Sequence, residues 1–89
     1  MATYIVSYDL RAPDKDYEKL TEYLKSQSAW WHYLGSTWVI VSDLTAVQLR
    51  NEIRAHCDAN DRILVVSAGG TAAWDGFPTK ANEWLKKKL

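Results

Sequence analysis

The chain has 89 residues, which is the length of one domain, and its 11 Lys and Arg side chains balance 11 Asp and Glu side chains. A formal net charge of zero argues against non-specific nucleic-acid binding through a basic surface, because such binding depends on neutralised phosphates. The single cysteine, Cys57, excludes an internal disulfide.

The first predicted strand covers residues 3–10, where β-branched and aromatic residues precede a turn. A helix is predicted over residues 15–27. Asp14 or Asp16 is expected to cap its first turn, because a carboxylate accepts hydrogen bonds from free backbone N–H groups. The apolar residues of this helix recur at helical spacing: Tyr17, Leu20 and Leu24.

A β-hairpin is predicted next, from strands over residues 29–34 and 37–42 that are joined by Gly35 and Ser36. A two-residue link that begins with glycine favours a type II′ turn. Glycine adopts the positive φ of the first turn position without strain.

The second helix is predicted to begin after Thr45, which has capping-box spacing with Gln48. Its apolar face is expected to consist of Ala46, Leu49, Ile53 and Cys57. Asp58 and Asp61 are interpreted as part of a solvated turn. Residues 62–68 are predicted to form the fourth strand.

This order of elements predicts an α+β fold with the ferredoxin-like βαββαβ topology. Its four-stranded antiparallel sheet would have the first and third strands in the centre and both helices on one face. We expect one domain over residues 1–89, with a core over 3–68 and a C-terminal extension over 69–89. The extension is predicted to contain a short strand or loop at residues 72–74 and a helix that begins near Pro78.

Neither face of the predicted sheet is polar. Tyr4 and Val6 point to one face of the first strand and Ile5 to the other, and the third and fourth strands are apolar on both sides as well. A sheet with helices on one side is expected to present a polar second face to water. The second face is therefore expected to be covered by a second copy, by the C-terminal segment or by a ligand, and we expect a homodimer.

Asp9 is the candidate catalytic and metal-binding residue. It ends a strand predicted to be central and buried, where an ionised carboxylate is unfavourable unless it is paired, hydrogen-bonded or bound to metal. In a twofold dimer, two Asp9 carboxylates could hold Mg²⁺, which would activate water to attack a phosphodiester. Arg11 could neutralise the phosphate. The alternative is structural, with Asp9 accepting backbone N–H bonds in the turn that begins at Arg11.

The candidate ligand-binding aromatic residues lie on the first three strands: Tyr8, Trp30, Trp31, His32, Tyr33 and Trp38. Alternation places Trp30 and His32 on one face of the second strand and Trp31 and Tyr33 on the other. Such rings could hold a nucleobase by stacking and edge contacts. The alternative is that they form the core of a dimer.

Gly69 and Gly70 offer backbone N–H groups that could contact a phosphate, and the alternative is an ordinary turn. The chain has no P-loop, no dinucleotide-binding glycine fingerprint and no nucleophile elbow. These absences argue against NTPase, dehydrogenase and α/β-hydrolase activities.

The apolar strand over residues 4–9 (YIVSYD) ends in Asp9. Through it, the first four strands resemble the small CRISPR-associated adaptation subunit, the ferredoxin-like partner of the integrase. This resemblance implies that Asp9 is the metal ligand of a dimeric nuclease.

Six segments carry a second resemblance over the whole chain: residues 5–10 (IVSYDL), 30–34 (WWHYL), 36–38 (STW), 69–70 (GG), 72–74 (AAW) and 76–77 (GF). They are similar to a short bacterial and phage group called the SinR family. This resemblance implies the fold and a dimer.

We therefore expect a small homodimer that engages nucleic acid or a nucleotide at its interface; if it is an enzyme, we expect a Mg²⁺-dependent endonuclease. The alternative is a non-enzymatic module that sequesters a nucleotide or docks a protein. No apolar run is long enough to span a membrane, and the first residues, MATY, do not form a signal peptide. A cytoplasmic location is the resulting expectation.

Overall fold

The computed structural model describes residues 1–12 and 17–89. Its elements are β1 (Ala2–Asp9), α1 (Glu18–Lys25), β2 (Ala29–Leu34), β3 (Thr37–Ser42), α2 (Ala46–Arg54), β4 (Arg62–Ser67) and α3 (Thr79–Lys88). The strands form one antiparallel sheet in the order β2-β3-β1-β4, which confirms the predicted ferredoxin-like fold with a C-terminal helix. The expected caps of α1, Asp14 and Asp16, lie outside the described residues.

The helices are short, with 8, 9 and 10 residues in chain order. None of the described helices is long and apolar enough to cross a membrane. Helix α2 begins at the predicted capping box, where the Gln48 N–H donates to Thr45 Oγ1 at 3.2 Å and the Thr45 N–H donates to Gln48 Oε1 at 2.9 Å. These two bonds satisfy N–H groups that the first turn leaves free, so local sequence fixes the start of α2.

The main core lies between α1, α2 and one face of the sheet, which we call the core face. Leu20 and Leu24 on α1 are four positions apart and buried, as are Leu49 and Ile53 on α2. Both pairs confirm the apolar faces predicted from helical spacing. The sheet contributes four buried side chains to this core: Tyr4, Val6, Trp38 and Ile40.

A second core lies on the opposite face of the sheet, which we call the second face. Ala81 and Leu85 of α3 pack against Trp31 of β2 and Val39 of β3, and all four side chains are buried. Residues 72–74 form no strand, and Trp74 packs against this second core. The C-terminal segment of the same chain therefore covers part of the second face, as one of the three expected alternatives stated.

Helix α3 leaves the β4 side of the second face open, whereas Ile5 of β1 packs partly against the second core. Leu64 and Val66 on the outer strand β4 are 60% and 46% exposed. The β-ladder places Leu64 opposite Ser7 of β1. We call the surface formed by Ser7, Leu64 and Val66 the exposed half.

The hairpin of β2 and β3 is confirmed, but the predicted type II′ turn is wrong, because Gly35 does not adopt a positive φ. Trp31 lies opposite Val39, and Leu34 lies opposite Thr37. Three steps along β2 therefore match two steps along β3, which marks a β-bulge. Turn type and strand register are coupled in a hairpin, so a bulged register goes with a turn other than the type II′ turn of a regular two-residue hairpin.

Candidate functional site

Three charged residues, Asp9, Arg11 and Arg62, lie where β1 ends and the neighbouring strand β4 begins. We call them the strand-end group. Arg11 Nε lies 3.2 Å from Asp9 Oδ2, and the β1–β4 register places Arg62 opposite Asp9. The Asp9 side chain is 58% exposed, so its charge is solvated as well as paired. Arg62 is thus a second arginine next to this ion pair, and a guanidinium group can bind an anionic ligand.

The strand-end group borders a depression of about 250 Å³ in the sheet surface. The depression is lined by Ser7, Tyr8, Asp9, Arg62, Ile63 and Leu64. Because Ser7 and Leu64 also belong to the exposed half, the exposed half is continuous with the strand-end group. Sequence reasoning missed Arg62 and Leu64, whose closeness to Asp9 depends on the β1–β4 pairing.

The structural role predicted as the alternative for Asp9, acceptance of backbone N–H bonds in the turn that begins at Arg11, belongs to Asp61. The N–H groups of Arg11 and Asp58 donate to Asp61 at 2.6 Å and 2.8 Å. The Tyr17 hydroxyl donates to both Asp61 oxygens, at 3.0 Å and 2.8 Å. Only 3% of Asp61 is exposed, so its interpretation as part of a solvated turn is wrong.

The buried carboxylate also affects Tyr17. Burial raises the pKa of the Tyr17 hydroxyl above its ordinary value, and the hydrogen bond to Asp61 raises that pKa further. The hydroxyl therefore keeps its proton and remains the donor at neutral pH. Asp61 thus joins the end of β1, the start of α1 and the loop before β4 through one acceptor group.

Four of the candidate aromatic residues form a cluster on the core face. Trp38 is fully buried, and its indole N–H donates to the Tyr8 hydroxyl at 3.0 Å. The His32 ring stacks on Trp38 with a centroid distance of 3.8 Å, and Trp30 lies at 5.6 Å. His32 Nε2 lies 3.1 Å from the Gly35 carbonyl oxygen, which can only accept, so Nε2 carries the proton. Trp38 offers no free ring face in this arrangement.

Trp31 and Tyr33 lie on the second face, as the alternation predicts. Their ring centroids are 5.3 Å apart, and the Phe77 ring meets Trp31 edge-on at 4.9 Å. The Trp31 indole N–H donates to the Ala81 carbonyl oxygen at 3.3 Å. Trp31 is 3% exposed, whereas 45% of Tyr33 remains exposed. Tyr33 can therefore still meet a ligand at its ring.

Gly69 and Gly70 lie at the other end of the sheet from Asp9. The Ala68 N–H donates to the Thr3 carbonyl oxygen, and Asp9 lies six positions after Thr3 on β1. At roughly 3.4 Å per residue the two ends are about 20 Å apart. Gly70 has φ +78° and lines a cavity of about 420 Å³. The structure does not bring the glycines together with Asp9 into one site.

Within residues 1–12 and 17–89, no group of three or more His, Cys, Asp or Glu residues could hold a metal ion. The Asp9 carboxylate supplies at most two of the roughly six oxygen ligands that Mg²⁺ takes. Its partner within the chain is the Arg11 guanidinium, which competes with a cation. A magnesium site at Asp9 would therefore need the Asp9 of a second copy.

No protein-family model, curated protein or solved structure matches the chain. The resemblance to the SinR family and to the CRISPR adaptation subunit stays a prediction. Function is therefore inferred from the side chains and surfaces of the described residues.

Asp61→Asn is expected to lower the free energy of unfolding by about 1–3 kcal/mol, because the amide nitrogen replaces an acceptor and leaves buried donors unpaired. Urea denaturation measures this change. Asp75→Asn, at an exposed aspartate, is the matched control and should change the unfolding free energy by less than about 0.5 kcal/mol. Equal midpoints for the two variants would contradict the structural role of Asp61.

Proposed function

We propose that the protein is a homodimer that binds a phosphate-bearing ligand, a nucleotide or nucleic acid, at strand-end groups beside its interface. One observation carries this proposal: the exposed apolar half of the second face runs into Asp9, Arg11 and Arg62. Protein contact and anion binding would therefore occur side by side on β1 and β4.

The support for a dimer is the exposure of Leu64 and Val66 on the outer strand of the sheet. Adjacent exposed apolar side chains on one surface are typical of an interaction site. A twofold interface uses the same patch on both subunits, so each copy would cover Leu64 and Val66 of the other. It would also place two strand-end groups along one interface.

The support for a phosphate ligand is the chemistry of the strand-end group. A guanidinium binds phosphate through paired N–H donors, and both Arg11 and Arg62 lie beside Asp9. The net charge of the chain is zero, which fits a ligand with few phosphates better than a long nucleic-acid backbone.

A second candidate function is Mg²⁺-dependent cleavage of DNA or RNA. The observation that favours it is the exposure of Asp9, whose carboxylate lines the depression next to the exposed half. Two such carboxylates in a dimer would hold the ion, and the ion would lower the pKa of a bound water to make it a nucleophile. Arg11 and Arg62 would then hold the phosphodiester in place.

Leu64→Lys is expected to abolish dimerisation, because it places a charge in the centre of the interface. Leu34→Lys is the matched control, since Leu34 is 47% exposed at the end of β2, on the opposite edge of the sheet from β4. Sedimentation velocity should show the parent and Leu34→Lys as dimers and Leu64→Lys as a monomer. A monomeric parent at high micromolar concentration would contradict the dimer and would favour the docking of another protein on the exposed half.

Arg62→Ala is expected to remove the thermal stabilisation that pyrophosphate gives the parent protein. At ten times the Kd that stabilisation is roughly 1.4 kcal/mol, which corresponds to several degrees in Tm for a domain of this size. Arg50→Ala, at an exposed arginine of α2, should retain the full shift. A parent whose Tm does not respond to saturating pyrophosphate would sink the proposed anion site.

Asp9→Asn is expected to abolish Mg²⁺-dependent cleavage of single-stranded and duplex substrates if the second candidate function is correct, because an amide is a far weaker ligand for Mg²⁺ than a carboxylate. Asp75→Asn serves as the control and should cleave at the parental rate. Cleavage at the same rate by Asp9→Asn and the parent would rule out the metal role of Asp9.

A further inference from the structure

A groove runs between the outer strand β2 and helix α3, at the opposite edge of the sheet from the strand-end group. Its cavity of about 230 Å³ is lined by Trp30, Trp31, Tyr33, Lys80, Ala81 and Trp84. We call it the aromatic groove. It is three strands away from β4, which is about 14 Å at the usual spacing of neighbouring strands.

The aromatic groove keeps ring surface open to solvent. Trp30 is 40% exposed and Tyr33 is 45% exposed, although each ring also packs against a buried indole. Trp84 is half-buried on the α3 side of the groove. Aromatic side chains that are held by packing and still exposed form a platform on which a planar ring can stack.

Two lysines flank these rings. Lys80 lines the groove itself, four positions before Trp84 and on the same side of α3. Lys25, the last residue of α1, has its Nζ 5.2 Å from the centre of the Trp30 ring. The groove therefore combines ring faces with positive charge on both sides, and these features match a base and its phosphate.

We propose that the aromatic groove binds one unpaired nucleobase by stacking while Lys80 and Lys25 contact the adjoining phosphates. The ligand would be single-stranded nucleic acid or a free nucleotide. The cavity is smaller than the roughly 300–1,000 Å³ of sites that enclose a whole small molecule, so it holds the base alone. The sugar and phosphate then lie at its rim, within reach of the long, flexible lysine side chains. This site is separate from the proposed interface and goes beyond the proposed function.

The bulge in β2 argues against a peptide strand as the occupant. An added strand needs a regular row of free backbone groups along the sheet edge. The shift in register between Trp31 and Leu34 interrupts that row on the outer strand. Stacking on side chains does not depend on this row, so the bulge leaves nucleobase binding unaffected.

The test is a tryptophan-fluorescence titration with single-stranded oligothymidylate at low salt. The parent is expected to show saturable quenching, because Trp30, Trp31 and Trp84 line the groove, and a blunt duplex of equal length should bind more weakly. Lys80→Glu is expected to weaken oligothymidylate binding about tenfold or more. Lys86→Glu, an exposed lysine six positions further on and toward the other side of α3, is the matched control and should bind like the parent.

The salt dependence separates this site from a diffuse charge effect. Two phosphate contacts on a single strand predict a slope of log K against log salt near −1.4, since each contributes about −0.7. Lys80→Glu should reduce that slope to about −0.7 or less in magnitude. A Lys80→Glu slope and affinity equal to those of the parent would overturn the proposal.

Trp84 provides an independent test of stacking. Trp84→Ala is expected to weaken oligothymidylate binding about tenfold or more, while Trp84→Phe retains a ring and most of the affinity. Circular dichroism checks that both variants fold. If Trp84→Ala does not fold, the titration of Lys80→Glu still tests the site. Equal affinities for folded Trp84→Ala and Trp84→Phe would contradict stacking on this residue.

Two further experiments identify the ligand and show whether this site is independent of the proposed interface. Thymidine monophosphate that binds as tightly as oligothymidylate would support a free nucleotide, and tighter binding of the oligonucleotide would support single-stranded nucleic acid. Leu64→Lys and Arg62→Ala should leave the quenching unchanged, even if they abolish the dimer and the pyrophosphate shift. No saturable quenching by either ligand would refute the aromatic groove as a base-binding site.

Discussion

The sheet of this protein carries apolar side chains on both faces, and that constraint governs the rest of its structure. Helices α1 and α2 cover the core face completely enough to bury Trp38, Ile40 and Val6. The second face needs its own cover because water cannot solvate its apolar side chains favourably. Helix α3 supplies that cover over β2 and β3, and Leu85 and Ala81 are buried there.

Partial cover by α3 creates the two surfaces that we connect with function. At the β2 edge, the side of α3 that bears Lys80 and Trp84 meets the exposed rings of the outer strand and forms the aromatic groove. Beyond the reach of α3, Leu64 and Val66 remain exposed and lead to the strand-end group. The two proposals thus depend on one packing arrangement but on different side chains, so either can fail without the other.

Local patterns predicted most of the fold. The capping box at Thr45, the helical spacing of Leu20 and Leu24 and the alternation of Trp30 and Trp31 are properties of neighbouring residues, and the structure confirms each of them. Features that depend on distant parts of the chain were not predictable in this way. The burial of Asp61 requires the end of β1 and the start of α1, and the groove residue Lys80 reaches β2 only through the packing of α3.

Hydroxyl-radical footprinting of the unmodified protein over a range of concentrations tests the division of the second face most directly, because oxidation reports the solvent access of each side chain. The account predicts that Leu85 stays protected at every concentration, while Leu64 and Val66 are oxidised in dilute solution and become protected as the protein self-associates. Rapid oxidation of Leu85, or oxidation of Leu64 that does not change up to high micromolar concentration, would contradict it.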